Sequence, residues 1–417
     1  MVSTLSKTPR HLSAIFDTGT SMEQANAEKL IQEAAEFAAW SVVAGIATVS
    51  IYDRRGILKK NARALRIFTS LRIREFAPHQ RHRVSVRLNG QESLAREDPD
   101  GEPPSLTIYL LSEEDGRHTL GSIAEALSEK VKAGEVSIAE ISVGLLAGKL
   151  QSSVMPLPDL VVVFGPEMKF DGYPPWHLQQ AEMDTLPDND TFSYVAFAHA
   201  LHHFATAEMR HGNRCGVEAV TVYAFSVENF KRSADEVSTV LEIVTESVDE
   251  LVQLMRDLDG SIRLCGQRDL VSAAVLEGLD QAVESTKQNK SIILNICFAY
   301  ASTAEIQMAV QRSIQERLTE QAAAGDATHS LSSAPINMVA ALDRNMYTAG
   351  SPPLDLLVRT GNTHRLSDFL LWQCHEDTSI VFVKKSWPEL SIPRVLAILI
   401  EWRRGKSVEK DKKGALE

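Results

Sequence analysis

The chain has 417 residues, 44% hydrophobic and 24% charged, with a formal net charge of −12. That composition is ordinary for a folded α/β-sized chain of about two or three domains. The acidic balance excludes nucleic-acid binding as a bulk property, so any anion site must come from a local arginine cluster. The scattered Cys215, Cys265, Cys297 and Cys374 form no CxxC pair and read as reduced structural thiols. The Met1 end lacks the basic and apolar regions of a signal peptide. The longest apolar stretch runs from Phe37 to Tyr52 and is broken by Ser41, Gly45, Thr48 and Ser50. It is too short and mixed to cross about 30 Å of hydrocarbon, so no transmembrane segment is expected.

In chain order, strand patterns fall at His11–Phe16, Ala47–Tyr52, Ser105–Leu111, Leu160–Phe164, Ala219–Phe225, Ser261–Leu264, Ile292–Phe298, Leu354–Val358 and Ile380–Val383. Several are unbroken apolar runs, as strands buried on both faces of a parallel sheet require. Helical patterns lie between them. In the clearest, Val237, Leu241, Val244, Val248 and Leu251 form a single apolar stripe. Alternating strands and helices predict α/β architecture. Loops are expected over Glu92–Pro104 and Ala322–Ala334, and a charged, disordered tail from Arg403. Trp40 and Trp372 read as core, and Trp176 as packing its own Pro-rich turn.

An internal repeat organises these elements. Gly45-Ile46-Ala47-Thr48-Val49-Ser50-Ile51-Tyr52 matches Gly216-Val217-Glu218-Ala219-Val220-Thr221-Val222-Tyr223 in pattern. Further on, Pro158-Asp159-Leu160-Val161-Val162 resembles Pro353-Leu354-Asp355-Leu356-Leu357. Two copies of one α/β unit explain both matches. The first copy has a strand, His11–Phe16, that begins 34 residues before Gly45. The same step back from Gly216 reaches Glu182, where the pattern shows no comparable strand. The expected fold is therefore two mostly parallel sheets flanked by helices, the second lacking its first strand. The expected divisions are 1–213, 214–402 and a tail, 403–417.

Two polar clusters follow strands of the second copy. One is Phe225-Ser226-Val227-Glu228-Asn229-Phe230-Lys231-Arg232. The other runs Arg359-Thr360-Gly361-Asn362-Thr363-His364-Arg365-Leu366-Ser367-Asp368-Phe369. Ligands of open α/β sheets bind outside the carboxyl ends of strands. Two arginine forks, hydroxyls and a glycine in the second cluster suit a diphosphate. The plainer reading is a solvated turn whose arginines pair with acids. The corresponding turn of the first copy, Gly165–Trp176, contains no arginine. His199, His202 and His203 share helical spacing but have no cysteine or paired carboxylate nearby, so they are not read as a metal site.

These residues also carry a family resemblance. VTVYAFSVENFKRS, LNICFAY, DLLVRTGNTHRLSDFLLWQ and SWPEL, all within 215–390, resemble the catalytic subunit of eukaryotic cis-prenyltransferase, dehydrodolichyl diphosphate synthase. PRHLSAIF, AAWSVVAGIATVSIYDRRGILKKN, LSEEDGR, PDLVVVFG, GYPPW and RHG, within 9–213, resemble its non-catalytic, Nogo-B receptor-type partner. The resemblance implies one fold for both halves, Mg²⁺ as cofactor, and farnesyl and isopentenyl diphosphates as substrates. Arg359, Arg365 and Ser367 match the residues that hold the isopentenyl diphosphate. Ser226 and Asn229 match a serine and an asparagine near the reacting carbons. Arg232 matches a further substrate-contacting arginine, and Arg210 and Gly212 match the partner's RxG tail. It also implies the cytoplasmic face of the endoplasmic reticulum membrane, with peripheral contact. A cis-prenyltransferase subunit partner, or a pseudo-dimer of the two halves, is implied as well.

The departures from the family pattern are specific. The DGNRR loop, whose aspartate would bind Mg²⁺, has no counterpart. Gly212-Asn213-Arg214 has His211 before it and no strand. Asp17 follows the first strand without the arginines and reads as a helix cap. Gly361-Asn362 replaces Ser-Gly, and Thr303 stands where a basic residue is common. Two functions stay open: a prenyl-chain-extending enzyme, and a non-catalytic subunit that binds and activates an intact catalytic partner.

Overall fold

Parallel strands carry both copies of the repeat. The structure, a computed structural model, describes residues 8–16, 24–77, 82–92, 104–165, 168–184, 217–323, 337–385, 397–399 and 401–403. The chain divides into two compact units. One is Met1–Ile123, Gly144–Asn213 and Leu354–Glu417; the other is Ala124–Val143 and Arg214–Pro353. This grouping differs from the division at 213/214 expected from the repeat, because the last 64 residues belong with the first unit.

In the first unit, β1 (His11–Phe16), β2 (Thr48–Asp53), β3 (Val84–Leu88), β4 (Gln91–Glu92), β5 (Leu106–Leu111), β6 (Leu160–Phe164) and β7 (Glu182–Asp184) make one sheet. Their order is β4-β3-β5-β2-β1-β6-β7. Only the β3–β4 pair is antiparallel. β1 is central, with Leu12 opposite Val49 on one side and Leu160 on the other. All six of its residues are buried, as the apolar run required. One face presents Leu12, Ala14, Phe16, Val49, Ile51, Leu160 and Val162 to two helices, α1 (Gln24–Val43) and α3 (Ala62–Phe76). The short helix α2 (Ile57–Lys60) precedes α3. Phe16 stacks on Phe164 at 5.1 Å, with Phe37 of α1 edge-on to both. Each such fully buried side chain contributes about 1.5–3 kcal/mol. The other face of β1 and β2 is polar: Ser50 donates to Ser13 (2.7 Å), and the Ser13 hydroxyl meets that of Tyr173 (2.9 Å).

The C-terminal strands β11 (Leu356–Arg359) and β12 (Ser379–Phe382) form a parallel pair in this unit. The Ile380 amide donates to Met168 O, and Gly172 N to His375 O. Trp372 is buried, with the Arg117 guanidinium 4.6 Å from its ring.

The second unit holds β8 (Ala219–Ser226), β9 (Gly260–Cys265) and β10 (Ile292–Tyr300) as a parallel sheet of order β8-β10-β9. Its helices, numbered after α4 (Arg117–Lys132) and α5 (Val143–Ser153), are α6 (Ala234–Asp257), α7 (Ala273–Thr286), α8 (Ser302–Ala323) and α9 (Met338–Asn345). The apolar stripe seen in the sequence lies on α6, where Val237, Leu241, Val248 and Leu251 pack on Phe225, Ile262, Ile296 and Phe298.

Strand order exposes the gap. By the sequence repeat, β8 corresponds to β2 and β11 to β6. β9-β10-β8 then reproduces β3-β5-β2, and β11-β12 reproduces β6-β7. In the first sheet β1 joins the two blocks. Among the described residues no strand takes that place in the second copy, whose strands form two separate sheets. Accordingly β2 is buried along Val49–Asp53, while β8 is half-buried along most of its length.

All nine expected strands are present, with ends shifted by one or two residues. Three corrections are needed. A strand, β7, does begin at Glu182, but it closes the first sheet rather than opening the second. The helix α8 runs to Ala323, two residues into the expected Ala322–Ala334 loop. Arg403 is helical rather than the start of a disordered tail. Most of the Glu92–Pro104 loop, the rest of the tail, SWPEL at 386–390, Asp17 and the three histidines lie outside the described residues.

Candidate functional site

β11 ends on Arg359, and the chain then coils through a run of left-handed residues. Gly361 (φ 84), Asn362 (φ 60), Ser367 (φ 49), Asp368 (φ 59) and Leu370 (φ 49) all have positive φ. Four are not glycine, a local strain that persists only where the surroundings over-determine it. Here they do: Gly361 N donates to Lys385 O (2.9 Å), Asn362 N to Val383 O (3.0 Å) and Asp368 N to Gln179 O (2.7 Å). The amide of Met183 on β7 donates to His364 O, and the His364 ring stacks on Phe382 at 4.5 Å.

The coil aims two guanidinium groups at one hydroxyl. Arg359 Nη1 donates to Ser367 Oγ (3.0 Å) and to the Arg365 carbonyl. Arg365 Nε donates to the same Oγ (3.1 Å). Arg365 Nη1 also pairs with Glu182 Oε1 at 2.7 Å. The second oxygen, Glu182 Oε2, is buried without a hydrogen-bond partner, as is the Thr360 hydroxyl. Arg359, Arg365 and Ser367 are thus brought together, at the carboxyl end of β11 where α/β sheets bind ligands. Glu182 was missed by sequence reasoning, because 183 positions separate it from Arg365. Arginine forks of this kind suit a multiply charged phosphate.

In the second unit, Ser226 ends β8, and a 3-10 turn, Val227–Lys231, follows. Ser226 N donates to Asn229 Oδ1 (2.8 Å), and Asn229 N donates to Ser226 Oγ (3.2 Å). This reciprocal cap satisfies two amides of the turn, so both side chains have a structural task. Phe225 and Phe230 pack edge to face at 4.9 Å beneath it. Arg232 is exposed at the end of the turn. Arg210 and Gly212 lie outside the described residues, as does Gly212-Asn213-Arg214. The arginine cluster and the Ser226–Asn229 turn belong to different compact units.

Another carboxylate unremarked in the sequence is Glu305 on α8, fully buried. It accepts from the Tyr300 hydroxyl (2.5 Å) and the Tyr347 amide (2.7 Å). Burial raises the Tyr300 phenol well above its ordinary range, so it stays a donor. Its position in the first turn after the FAY strand is a signal that sequence reasoning had available. Thr303, in the same turn, is buried. The turn of the first copy that corresponds to the Arg359–Phe369 coil follows β6 and is apolar instead, with Phe170, Tyr173 and Trp176 buried. Cys265, Cys297 and Cys374 are free and buried. Among the described residues no group of three metal-ligating side chains assembles.

The fold is mostly parallel α/β, with two arginines converging on one hydroxyl at a strand's carboxyl end. Comparison with known proteins narrows this. The family profile described as "Putative undecaprenyl diphosphate synthase", a prenyltransferase, matches residues 206–408. A dehydrodolichyl diphosphate synthase complex subunit of Schizosaccharomyces pombe is 37% identical over 193 residues, covering 46% of this chain and 69% of that protein. The human subunit DHDDS is 35% identical over 199 residues, and the match spans 56% of its length. Dehydrodolichyl diphosphate synthase complex subunit nus1 of S. pombe is 30% identical over 211 residues, covering 50% of this chain and 79% of that protein. The chain belongs to this family of prenyltransferases of the undecaprenyl and dehydrodolichyl diphosphate synthase type.

Proposed function

We propose that this chain is a cis-prenyltransferase subunit that extends farnesyl diphosphate with isopentenyl diphosphate units toward a polyprenyl diphosphate, a dolichol precursor. It would act at the cytoplasmic face of the endoplasmic reticulum membrane, in peripheral contact with it. The single observation that carries the reading is the convergence of Arg359 and Arg365 on Ser367. Two forks on one hydroxyl form a preset cradle for a diphosphate, which would replace Ser367 Oγ as their shared acceptor. The isopentenyl double bond attacks the allylic carbon as its diphosphate leaves, and a proton is then lost. Ser226 and Asn229 stand for the positions near those carbons, with Asn229 the group toward which the proton departs. Arg232 and the Arg210–Gly212 tail are the further substrate contacts.

Mg²⁺ fits one feature of the cluster. Glu182 Oε2 is a buried hard-oxygen donor with no partner, and Mg²⁺ prefers one or two carboxylates plus phosphate oxygens. Glu182 would hold it, and the ion would neutralise charge on the diphosphate bound by Arg359 and Arg365.

A second reading has its own support. With no described strand in the place of β1, and no DGNRR loop in the sequence, the second copy lacks the segment that carries the allylic diphosphate. The chain would then bind and activate an intact catalytic subunit, as suits relatives named as complex subunits.

Calorimetric titration of the full chain with isopentenyl diphosphate, and with inorganic pyrophosphate, tests the cradle. Arg359→Ala is expected to weaken both by at least about tenfold, since a charge-assisted hydrogen bond is worth roughly 1.5–3 kcal/mol. Unchanged affinity in the variant would overturn the reading.

A further inference from the structure

Large exposed hydrophobics concentrate on one helix surface of the first unit. Seven stand out among the described residues, and α3 carries four of them: Ile67 (49% exposed), Phe68 (41%), Leu71 (48%) and Phe76 (46%). A fifth, Val43 (57%), is the last residue of α1, the helix packed against α3. Single exposed apolar residues need no explanation, but a cluster marks an interaction surface.

The helix explains the geometry. Its inward face is Ala62, Leu65, Thr69 and Ile73, at helical spacing. Ile67, Phe68 and Leu71 lie at i, i+1 and i+4 on the outward face, so core packing does not use them. One turn before Ile67 stands Arg63, and three residues after Leu71 stands Arg74. Both are exposed, and neither makes an ion pair among the described residues. The apolar trio is therefore bracketed along its own face by arginines. Over Ala62–Phe76 there are four arginines and a single acid, Glu75, which lies on the outward face and is paired with Arg72, as is Glu36 of α1. The chain as a whole carries −12. A basic, apolar helix surface on an acidic protein selects its own partner.

We infer that the outward face of α3 is a docking surface for an anionic lipid bilayer. Ile67, Phe68 and Leu71 would enter the boundary between headgroups and acyl chains. Arg63 and Arg74 would remain among the phosphates, their aliphatic stems along the apolar face. Charge chooses between occupants. A second copy docked through the same patch would bring Arg63 and Arg74 near their own counterparts, whereas an anionic leaflet attracts them. The helix lies on the membrane rather than across it, since no helix among the described residues is long and apolar enough to span one. This inference supplies the surface for the peripheral placement proposed above and is independent of the transferase reading.

Flotation of the purified full chain with vesicles tests it, using phosphatidylcholine alone and phosphatidylcholine containing phosphatidylserine. The chain is expected to float with the anionic vesicles only, and to be released by high salt. Ile67→Ser, Phe68→Ser and Leu71→Ser together should lower the bound fraction at least about fivefold, and so should Arg63→Gln with Arg74→Gln. Both variants should keep the circular-dichroism spectrum and thermal midpoint of the parent, because none of these side chains is buried. If the parent floats and both variants float equally, the surface is wrong while peripheral placement survives. A parent that stays with neither vesicle sinks both ideas, and equal binding to neutral vesicles sinks the anionic choice. A concentration-dependent dimer in light scattering, lost in the triple variant, would assign the patch to a second copy and overturn the inference.

Discussion

Ser367 accepts from two arginines at once. Arginines of a solvated surface turn would splay toward different acids. Here Arg359 and Arg365 share one acceptor, and Arg365 also pairs with Glu182. Two buried histidines give the residue scale its prediction. His11 lies 3.1 Å from Ser50 Oγ, and His177 lies 3.0 Å from Met155 O. Burial lowers both to about 4, because the apolar surroundings disfavour the cation. Between the ordinary 6.5 and about 4 the unfolded chain binds a proton that the folded chain refuses. Stability should therefore be flat above pH 6.5 and fall as pH drops toward 4, by up to about 3 kcal/mol per histidine. Urea-denaturation midpoints across this range check it, and His11→Asn with His177→Asn should flatten the slope. A slope that the double variant leaves unchanged would reject the assignment.

Between elements, the two copies differ in one polar row. In the first sheet Ser13, Ser50 and Tyr109 are register partners on β1, β2 and β5. In the second, Thr221, Asn295 and Arg263 are partners on β8, β10 and β9. Ser50 donates across to Ser13 on β1. Its counterpart Thr221 instead accepts from Asn295 Nδ2 (3.1 Å), on the side away from the gap. Among the described residues no strand pairs with the outer edge of β8. Hydrogen exchange should show this: alternate amides of β8 exchanging at least about tenfold faster than those of β2, which is paired on both sides. Equal protection of the two strands would mean that something occupies the edge. Sequence reading found the long apolar strands but missed β3, the two-residue β4 and β7. Val84–Leu88 alternates with Arg87, and Glu182-Met183-Asp184 has two acids in three residues, so neither resembles a buried strand. β7 is a strand because β6 offers it a ladder.

For the molecule as a whole, the prediction follows from the second copy, where no strand among the described residues takes the place of β1. The chain by itself should incorporate isopentenyl diphosphate poorly, and adding an intact catalytic subunit should raise incorporation well above the sum of the separate rates. Rapid turnover by the solitary chain, abolished by Arg359→Ala, would contradict this. The sequence alone determined the α/β class, the repeat and the family, since these are written in local apolar runs and their spacing. Tertiary structure alone decided that Leu354–Glu417 groups with the N-terminal sheet, and that Glu182 answers Arg365. Such pairings depend on which strand edge is free and which register it accepts. No local pattern carries that information, because it arises only when distant segments compete for the same hydrogen bonds.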